Sequence, residues 1–363
     1  MDRREFLRAA ALGASAVSLP PLFAQDNKVG FEELTREQID AIDRGLRWLA
    51  KNQYSTGGIG STCQVAFTGL AGLAFLANNS TPYRGTYAKN VRDALKFILR
   101  NTSKQGYINE AAGRGLGGSG MHGHGYATWF LAELYGMCGD TAELGDEGVK
   151  ERLQKAVKII AESQDPNGGW TYEPQPYGHE GSVTVTQVQA LRSARNAGIA
   201  VEKKVIEKGL DYIKKSTHSD GTIAYSLGSR GSGGTYALTA AGMCVFSLYG
   251  AYDAPEVKRG MNALMEFLTG RRGRGGHHDY YAHLYAGQAC FFAKSKDPAF
   301  WTKGYATIRQ ELLASQERDT GCWSQDGYGG AFGTACATLV LQIPYRYLPI
   351  FQDLGDFRFR SRA

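Results

Sequence analysis

A two-helix unit recurs six times along this chain, and no other feature restricts its folding as strongly. Each unit opens with an amphipathic helix that ends in bulky apolar residues and often a Gln. A loop rich in Gly and aromatic residues follows, then a second helix full of small residues. The first helices read RGLRWLAKNQ to Gln53, VRDALKFILRN to Asn101, LQKAVKIIAESQ to Gln164, EKGLDYIKKS to Ser216, GMNALMEFL to Leu268 and TIRQELLASQ to Gln316. The second helices begin at Gln64, His124, Ser182, Thr235, Asp279 and Gly333. Their spacing of about 45–60 residues marks a quasi-repetitive α architecture rather than a string of independent domains.

The two helix types predict two layers. ERLQKAVKIIAESQ carries charge at regular intervals and sets Val157, Ile160 and Ala161 on one stripe, as an outer helix with one face in water does. GLAGLAFLA, LTAAGMCVF and GTACATLVL are almost free of charge, so both of their faces must be covered or must line a cavity. Gly69, Ala71, Gly72, Ala240, Ala241 and Gly242 have no bulk to hold neighbouring helices apart. The expectation is an all-α fold: an α/α toroid of about six helical hairpins, amphipathic outside and small-residue inside, around a hollow middle. It spans residues 31–352 as one domain, preceded by a targeting segment over 1–25 and followed by a basic tail over 353–363.

The targeting segment reads MDRREFLR, then AAALGASAVSLPPLF, with Ala24 placed for cleavage. Arg3-Arg4 followed by Phe6-Leu7 is a twin-arginine signal, and the apolar run is too short and Ala-rich to span a bilayer. The expected location is therefore periplasmic or extracellular, with no transmembrane segment left after cleavage. Net charge is +6, but the excess is local, in Arg271, Arg272 and Arg274 and in Arg358, Arg360 and Arg362. Without a longer basic stripe or a nucleic-acid-binding motif, these clusters argue against a nucleic-acid partner. Of the six cysteines, Cys138, Cys244, Cys290 and Cys336 fall in or at the ends of the small-residue helices, where Cys packs as a small apolar residue.

The turns inside the repeats also recur. PNGGWTYEP at Pro166, SDGTIAYS at Ser219 and DTGCWSQDGYGG at Asp319 combine Gly punctuation with an aromatic residue. Gln164 with Gly169-Trp170, and Gln316 with Gly321-Cys322-Trp323, resemble the repeats of the prenyltransferase and squalene-cyclase superfamily. HGHGYATWFLAELYG and the closing LQIPYRYLPIF resemble exported bacterial prenyltransferase/squalene-oxidase repeat proteins. The resemblance covers nearly the whole mature chain and implies a toroid, while a fold by itself implies no activity. Cyclases of this superfamily protonate an alkene with a DxDD motif, and none occurs here. In the prenyltransferase β-subunit register, RRGRGGHHDYYAHLY places Leu284 where the zinc-ligand Cys would stand, and Arg274 in a loop suited to diphosphate.

Chemistry is expected at one end of the ring. All seven histidines (His122, His124, His179, His218, His277, His278 and His283) lie in turns or at the starts of second helices. A toroid gathers those starts at one mouth, where free N–H groups and helix dipoles also collect. Asp279 and His283, four apart, share a helical face and make an acid–base pair, or Asp279 caps the helix and His283 bonds to it. His122 and His124 form an HxH suited to zinc, or serve as turn residues. Glu180 joins the catalytic candidates. Tyr126, Trp129, Tyr236, Tyr281 and Tyr285, with Arg274, are the candidate ligand-binding residues, and core packing is the competing role for the aromatics.

The leading expectation is a central aromatic pocket for an apolar or isoprenoid-like small molecule. The alternative is a toroid that binds a polysaccharide or protein, with lyase or hydrolase chemistry drawn from Glu180, Asp279 and Glu110. Whether the chain is an enzyme, and in what oligomeric state, is not written in these residues.

Overall fold

Thr35 opens the first helix by accepting a hydrogen bond from the Gln38 N–H, and an apolar stripe of Ala41, Ile42, Leu46 and Leu49 follows. The computed structural model describes residues 34–110, 120–140, 148–229, 233–274 and 278–352. Twelve α-helices lie among them, alternating outer and inner. The outer helices are α1 (Arg36–Lys51), α3 (Ala88–Arg100), α5 (Val149–Glu162), α7 (Lys203–Lys215), α9 (Pro255–Leu268) and α11 (Ala306–Ser315). The inner helices are α2 (Gln64–Ala77), α4 (Gly120–Cys138), α6 (Gly181–Asn196), α8 (Tyr236–Leu248), α10 (Asp279–Ala293) and α12 (Gly330–Leu341). A π-helical turn, Phe300–Tyr305, leads into α11. The expected signal at 1–25, the tail at 353–363 and His277 lie outside the described residues. No described helix is long and apolar enough to cross a membrane.

Each inner helix packs on the next, α2 to α4 and onward to α12, and α12 returns to α2, so the ring closes. Inner helices are buried almost throughout, whereas outer helices bury one stripe, as their charge patterns require. The expected α/α toroid is the observed fold. Its six cysteines stand as free thiols.

One hydrogen-bond device repeats around the outer layer. The Gln at the end of an outer helix donates from Nε2 to its own loop and to the following outer helix. Gln53 reaches Gly57 O at 2.9 Å and Asn90 O at 3.1 Å, and Gln164 reaches Gly168 O and Val205 O, both at 2.9 Å. Gln316 reaches Gly321 O and Ala41 O, again both at 2.9 Å. That third bridge joins the last outer helix to the first. The loop glycine is held at positive φ, where a Cβ is strained, and it lies against the next outer helix. At Gly168 (φ 96°) a Cβ would stand 2.2 Å from the Lys208 carbonyl oxygen, so only glycine permits the approach.

A second device ties each loop to its inner helix. The N–H groups of Ile59, Trp170, Ile223 and Trp323 donate to the hydroxyls of Thr68, Thr184, Thr239 and Thr334 at 2.9–3.3 Å. The Trp170 and Trp323 indoles fill the space behind the loop and donate to Ile160 O and Leu312 O, each at 2.7 Å.

The middle of the ring is filled at the levels described here, which corrects the expectation of a hollow centre. Helices α6 and α10 are not neighbours in the ring, yet side chains bridge them. Thr186 Oγ1 lies 3.2 Å from the Tyr285 hydroxyl, Gln189 donates to Gln288 at 2.7 Å, and the Tyr281 hydroxyl donates to Ser182 O at 3.3 Å. Tyr126 enters from α4 into electrostatic range of Tyr281 and Tyr285. Small residues bring the helices close, and a few large side chains then occupy what remains.

The seam bridge gives the first prediction. Gln316→Met keeps the side-chain volume but leaves Ala41 O and Gly321 O without their donor. Urea unfolding should show a loss of about 1–3 kcal/mol. A loss below about 0.5 kcal/mol, the size of an ordinary surface change, would mean that the bridge does not hold the seam.

Candidate functional site

The loops between outer and inner helices meet over the inner-helix N-termini. The Met121 N–H donates to Tyr172 O at 2.9 Å and the Gly181 N–H to Tyr225 O at 2.7 Å, so consecutive loops dock on one another's helices. The Tyr172 and Tyr225 hydroxyls are hydrogen-bonded to each other, and both side chains stay exposed to solvent. His122 faces Tyr172 with ring centroids 6.1 Å apart, and its Nε2 lies 3.1 Å from the Ser182 hydroxyl. Burial lowers the His122 pKa to about 4, so the ring is neutral at physiological pH.

Glu180 is the N-cap of α6. Its carboxylate accepts from the N–H groups of Ser182 and Val183 and from the Ser182 hydroxyl. Burial raises its pKa, while the N–H bonds pull the other way. Glu110 does similar work for α2, accepting from the Val65 N–H at 2.8 Å. Two of the three candidate carboxylates, Glu180 and Glu110, therefore satisfy helix starts, which gives Glu180 a structural role.

His122 and His124 do not form a joint metal site. The HxH lies inside α4, and side chains two apart on a helix point in opposite directions. His124 is fully buried, and both its nitrogens are engaged. The Ile108 N–H donates to Nδ1 at 3.2 Å, so the proton is on Nε2, which donates to Ala156 O at 3.1 Å. It occupies the position of Thr68, Thr184, Thr239 and Thr334 in the loop-to-helix device. Burial lowers its pKa to about 4. Among the described residues, no group of three or more His, Cys, Asp or Glu side chains could hold a metal. The zinc expected at this HxH is therefore not supported by its donor set.

His283 takes the same repeat position in α10, but its partners differ from those expected. Asp279 is solvent-exposed, and the N-cap residue is His278. His283 turns away from Asp279, with Nδ1 2.9 Å from the Tyr236 hydroxyl and Nε2 3.2 Å from Glu311 Oε2. Arg274 binds both oxygens of Glu311 at 2.7 Å and lies over the Tyr236 ring at 4.9 Å. Burial works to raise the Glu311 carboxyl, but the His283 and Arg274 hydrogen bonds prevail and hold it down to about 2. Arg274, His283 and Tyr236 therefore form an internal network, replacing the apolar plug that Trp170 or Trp323 supplies in other repeats. His283 pairs with Glu311 rather than with Asp279, and Arg274, placed in the sequence for a diphosphate, is held by Glu311.

The remaining ligand candidates are core residues. Tyr126, Trp129, Tyr236, Tyr281 and Tyr285 are at most 8% exposed, and the Trp129 indole donates to Glu133 at 3.3 Å. Asp279 keeps a chemical role open through a carboxylate that sequence reasoning missed. Asp326, in the loop before α12, has its pKa raised to about 6 by burial, with the charge of Asp279 adding to the effect. Its Oδ1 accepts from the Tyr328 N–H at 3.0 Å, whereas its buried Oδ2 has no partner among the described residues. His278 stacks on Tyr328 at 5.6 Å, so these four residues sit together on one sector of the mouth. One carboxylate exposed and one holding its proton into mild acid form an arrangement suited to acid–base chemistry.

Known structures share this architecture. A cellobiose 2-epimerase from Bacillus thermoamylovorans superposes with a TM-score of 0.60 at 10% identity, over 85% of this chain and 99% of that one. A type II terpene cyclase from Scytonema gives 0.56 at 14% identity, over 86% of this chain and 100% of that one. An unsaturated glucuronyl hydrolase specific for heparin gives 0.56 at 10% identity, over 84% of this chain and 96% of that one. This is the α/α-toroid fold. It is the fold of squalene-cyclase-like enzymes and of toroid glycosidases alike, so it leaves the ligand and the activity open. No family profile and no curated protein matches the chain.

Asp326 and Glu311 carry weak signals in the sequence. Asp326 opens an Asp-Gly-Tyr-Gly-Gly turn, which reads as loop chemistry. Glu311 is one charge among several on an outer helix, 28 positions from the histidine it holds. The repeat position of His124 yields a direct test. Its folded pKa of about 4 lies below the ordinary 6.5, so the unfolded chain takes up the proton first. Its contribution to stability is therefore lost as pH falls from 6.5 toward 4. His124→Thr should cost about 1–3 kcal/mol at pH 7 through the unsatisfied Ala156 O and the lost volume. The fall in melting temperature between pH 6.5 and 4 should shrink, and an unchanged fall would place the acid sensitivity elsewhere.

Proposed function

We propose that the mouth of this toroid binds an oligosaccharide or polysaccharide, and that Asp279 and Asp326 supply acid–base chemistry there. The observation that carries the proposal is the division of the aromatic residues. Those inside the ring are sealed, with Trp129, Tyr236, Tyr281 and Tyr285 bonded to other core groups, while Tyr54, Tyr172, Tyr225 and Tyr328, borne by the outer-to-inner loops, remain exposed. Exposed rings beside carboxylates suit a ligand that is apolar on the faces of its rings and polar around their edges. An isoprenoid chain would need an open apolar bore, and Tyr126, Tyr281 and Tyr285 occupy it. Of the similar toroids, two are named for sugars and one for a terpene. The fold does not choose among them, whereas the chemistry of the mouth favours the sugars.

In this assignment Asp326 is the proton donor and the exposed Asp279 its partner carboxyl. Glu180 holds α6, and His283 is bound up with Glu311. Because Asp326 keeps its proton up to about pH 6, turnover that needs it as an acid should fall as pH rises through that value. Asp326→Asn should remove this limb of the profile together with most of the activity.

Binding is the first test. Calorimetric titration with tetrasaccharides of glucose and of galacturonate, and with geranylgeraniol as the apolar contrast, should detect a saccharide. Tyr172→Ala and Tyr225→Ala should each weaken it about tenfold, the scale of losing one aromatic anchor. Binding of geranylgeraniol without any saccharide would overturn the proposal and restore the apolar ligand.

A further inference from the structure

The first and last repeats meet at the mouth, and the seam between them holds a cavity of about 340 Å³. Trp48, Tyr54 and Phe67 line it from the first repeat, and Tyr328, Gly330 and Ala331 from the last. The volume is at the small end of ligand pockets and suits one sugar ring better than a long chain.

Three features distinguish this cavity from a packing defect. The Trp48 indole is only partly buried, and its N–H makes no hydrogen bond among the described residues. By contrast, the indoles of Trp129, Trp170 and Trp323 all donate to internal acceptors. Tyr54 and Tyr328 are each 48% exposed, and Tyr328 is held upright between His278 at 5.6 Å and Phe332 at 5.2 Å. The wall is therefore a positioned ring rather than a loose side chain. Finally, the rim is polar. Ser61 and Lys51 border the cavity, both are exposed, and neither is engaged in a side-chain hydrogen bond or ion pair among the described residues. An indole face with a free donor, an upright tyrosine and a rim of hydroxyl and ammonium together match the CH face and hydroxyl edge of a pyranose.

We propose that the seam cavity is a hexopyranose subsite of the saccharide-binding mouth, and that its occupant clamps the first repeat to the last. The subsite rests on the saccharide assignment made above. The clamp follows from position, because the lining comes wholly from the two ends of the repeat array. A ligand that binds only the closed ring stabilises closure by mass action.

Two variants probe the site. Trp48→Ala removes the platform. Gly330→Ala occludes it, since a Cβ there would stand 3.1 Å from the Trp48 ring, while alanine favours the helix and preserves the fold. With the same glucose and galacturonate tetrasaccharides, each variant should bind about tenfold more weakly than wild type. Saturating saccharide should also slow amide exchange over residues 41–53 and 328–341 in wild type but not in Gly330→Ala. If Tyr172→Ala and Tyr225→Ala weaken binding while both seam variants bind like wild type, the subsite is overturned and the mouth assignment stands. Protection confined to the loops of Tyr172 and Tyr225 would overturn the clamp. If wild type binds no saccharide, the subsite and the mouth assignment fall together.

Discussion

The ring depends on the side-chain amide of a glutamine that ends an outer helix. A row of helical hairpins has no intrinsic reason to close, and an open array would leave apolar faces at both ends. Here the amide of Gln53, Gln164 or Gln316 spans two carbonyl groups, one in its own loop and one in the next outer helix. The adjoining glycine lets the loop approach that helix at backbone distance. Because Gln316 makes to Ala41 the contact that Gln164 makes to Val205, the last repeat treats the first as its successor. Gln38 and Gln342 reinforce the closure, donating to Leu341 O at 2.7 Å and to Ala74 O at 3.0 Å. Closure removes the ends that an open solenoid would have to cap.

Against that regular frame, departures from the repeat acquire meaning. The loop-to-helix acceptor is Thr in four repeats and His124 in the second, while His283, at the same position in the fifth, pairs with Tyr236 and Glu311 instead. The second repeat keeps an apolar plug, Ile108, and its histidine simply does the threonine's work. In the fifth repeat Arg274 stands where the others carry Ile or Trp, and a guanidinium in that partly buried place needs a counter-charge. Glu311 supplies it bidentately, His283 donates to the same carboxylate, and Tyr236 completes the set. The network is consistent only as a whole, because removing one member strands the others.

Local periodicity makes the frame legible in sequence. Helix type, layer, the Gln and the Gly-x-Trp turn are all written within one repeat. The HxH misleads because GMHGHG looks like a turn. In the folded ring, Gly125 faces Thr186 and Gln187, where a Cβ would stand 2.6 and 2.8 Å from them, so these glycines serve close helix packing and tertiary contact overrides their low helix propensity. The filled centre is hidden for a related reason. Small residues predict close helices, but the fate of the space depends on which few positions point inward, and Tyr126, Tyr285 and Gln189 do. Glu311 and Asp326 escape notice because their partners are set by which repeats become neighbours, and no single-repeat pattern carries that information.

The proposed function is placed at the mouth by elimination within this frame. Most of the polar side chains that stand out in the sequence hold the structure together. Glu180 and Glu110 secure helix starts, His124 secures a loop, and His283 and Arg274 are bound through Glu311. The Asp279 carboxylate and Asp326 Oδ2 make no hydrogen bond among the described residues, and the loop tyrosines keep their rings open to solvent. Burying Asp326 beside Asp279 raises its pKa to about 6, a cost that the Tyr328 N–H bond relieves only in part. An asparagine could form the same Asx turn without a charge. A carboxyl retained where it is hard to ionise, in electrostatic range of a second carboxylate, is what the proposed proton donor requires.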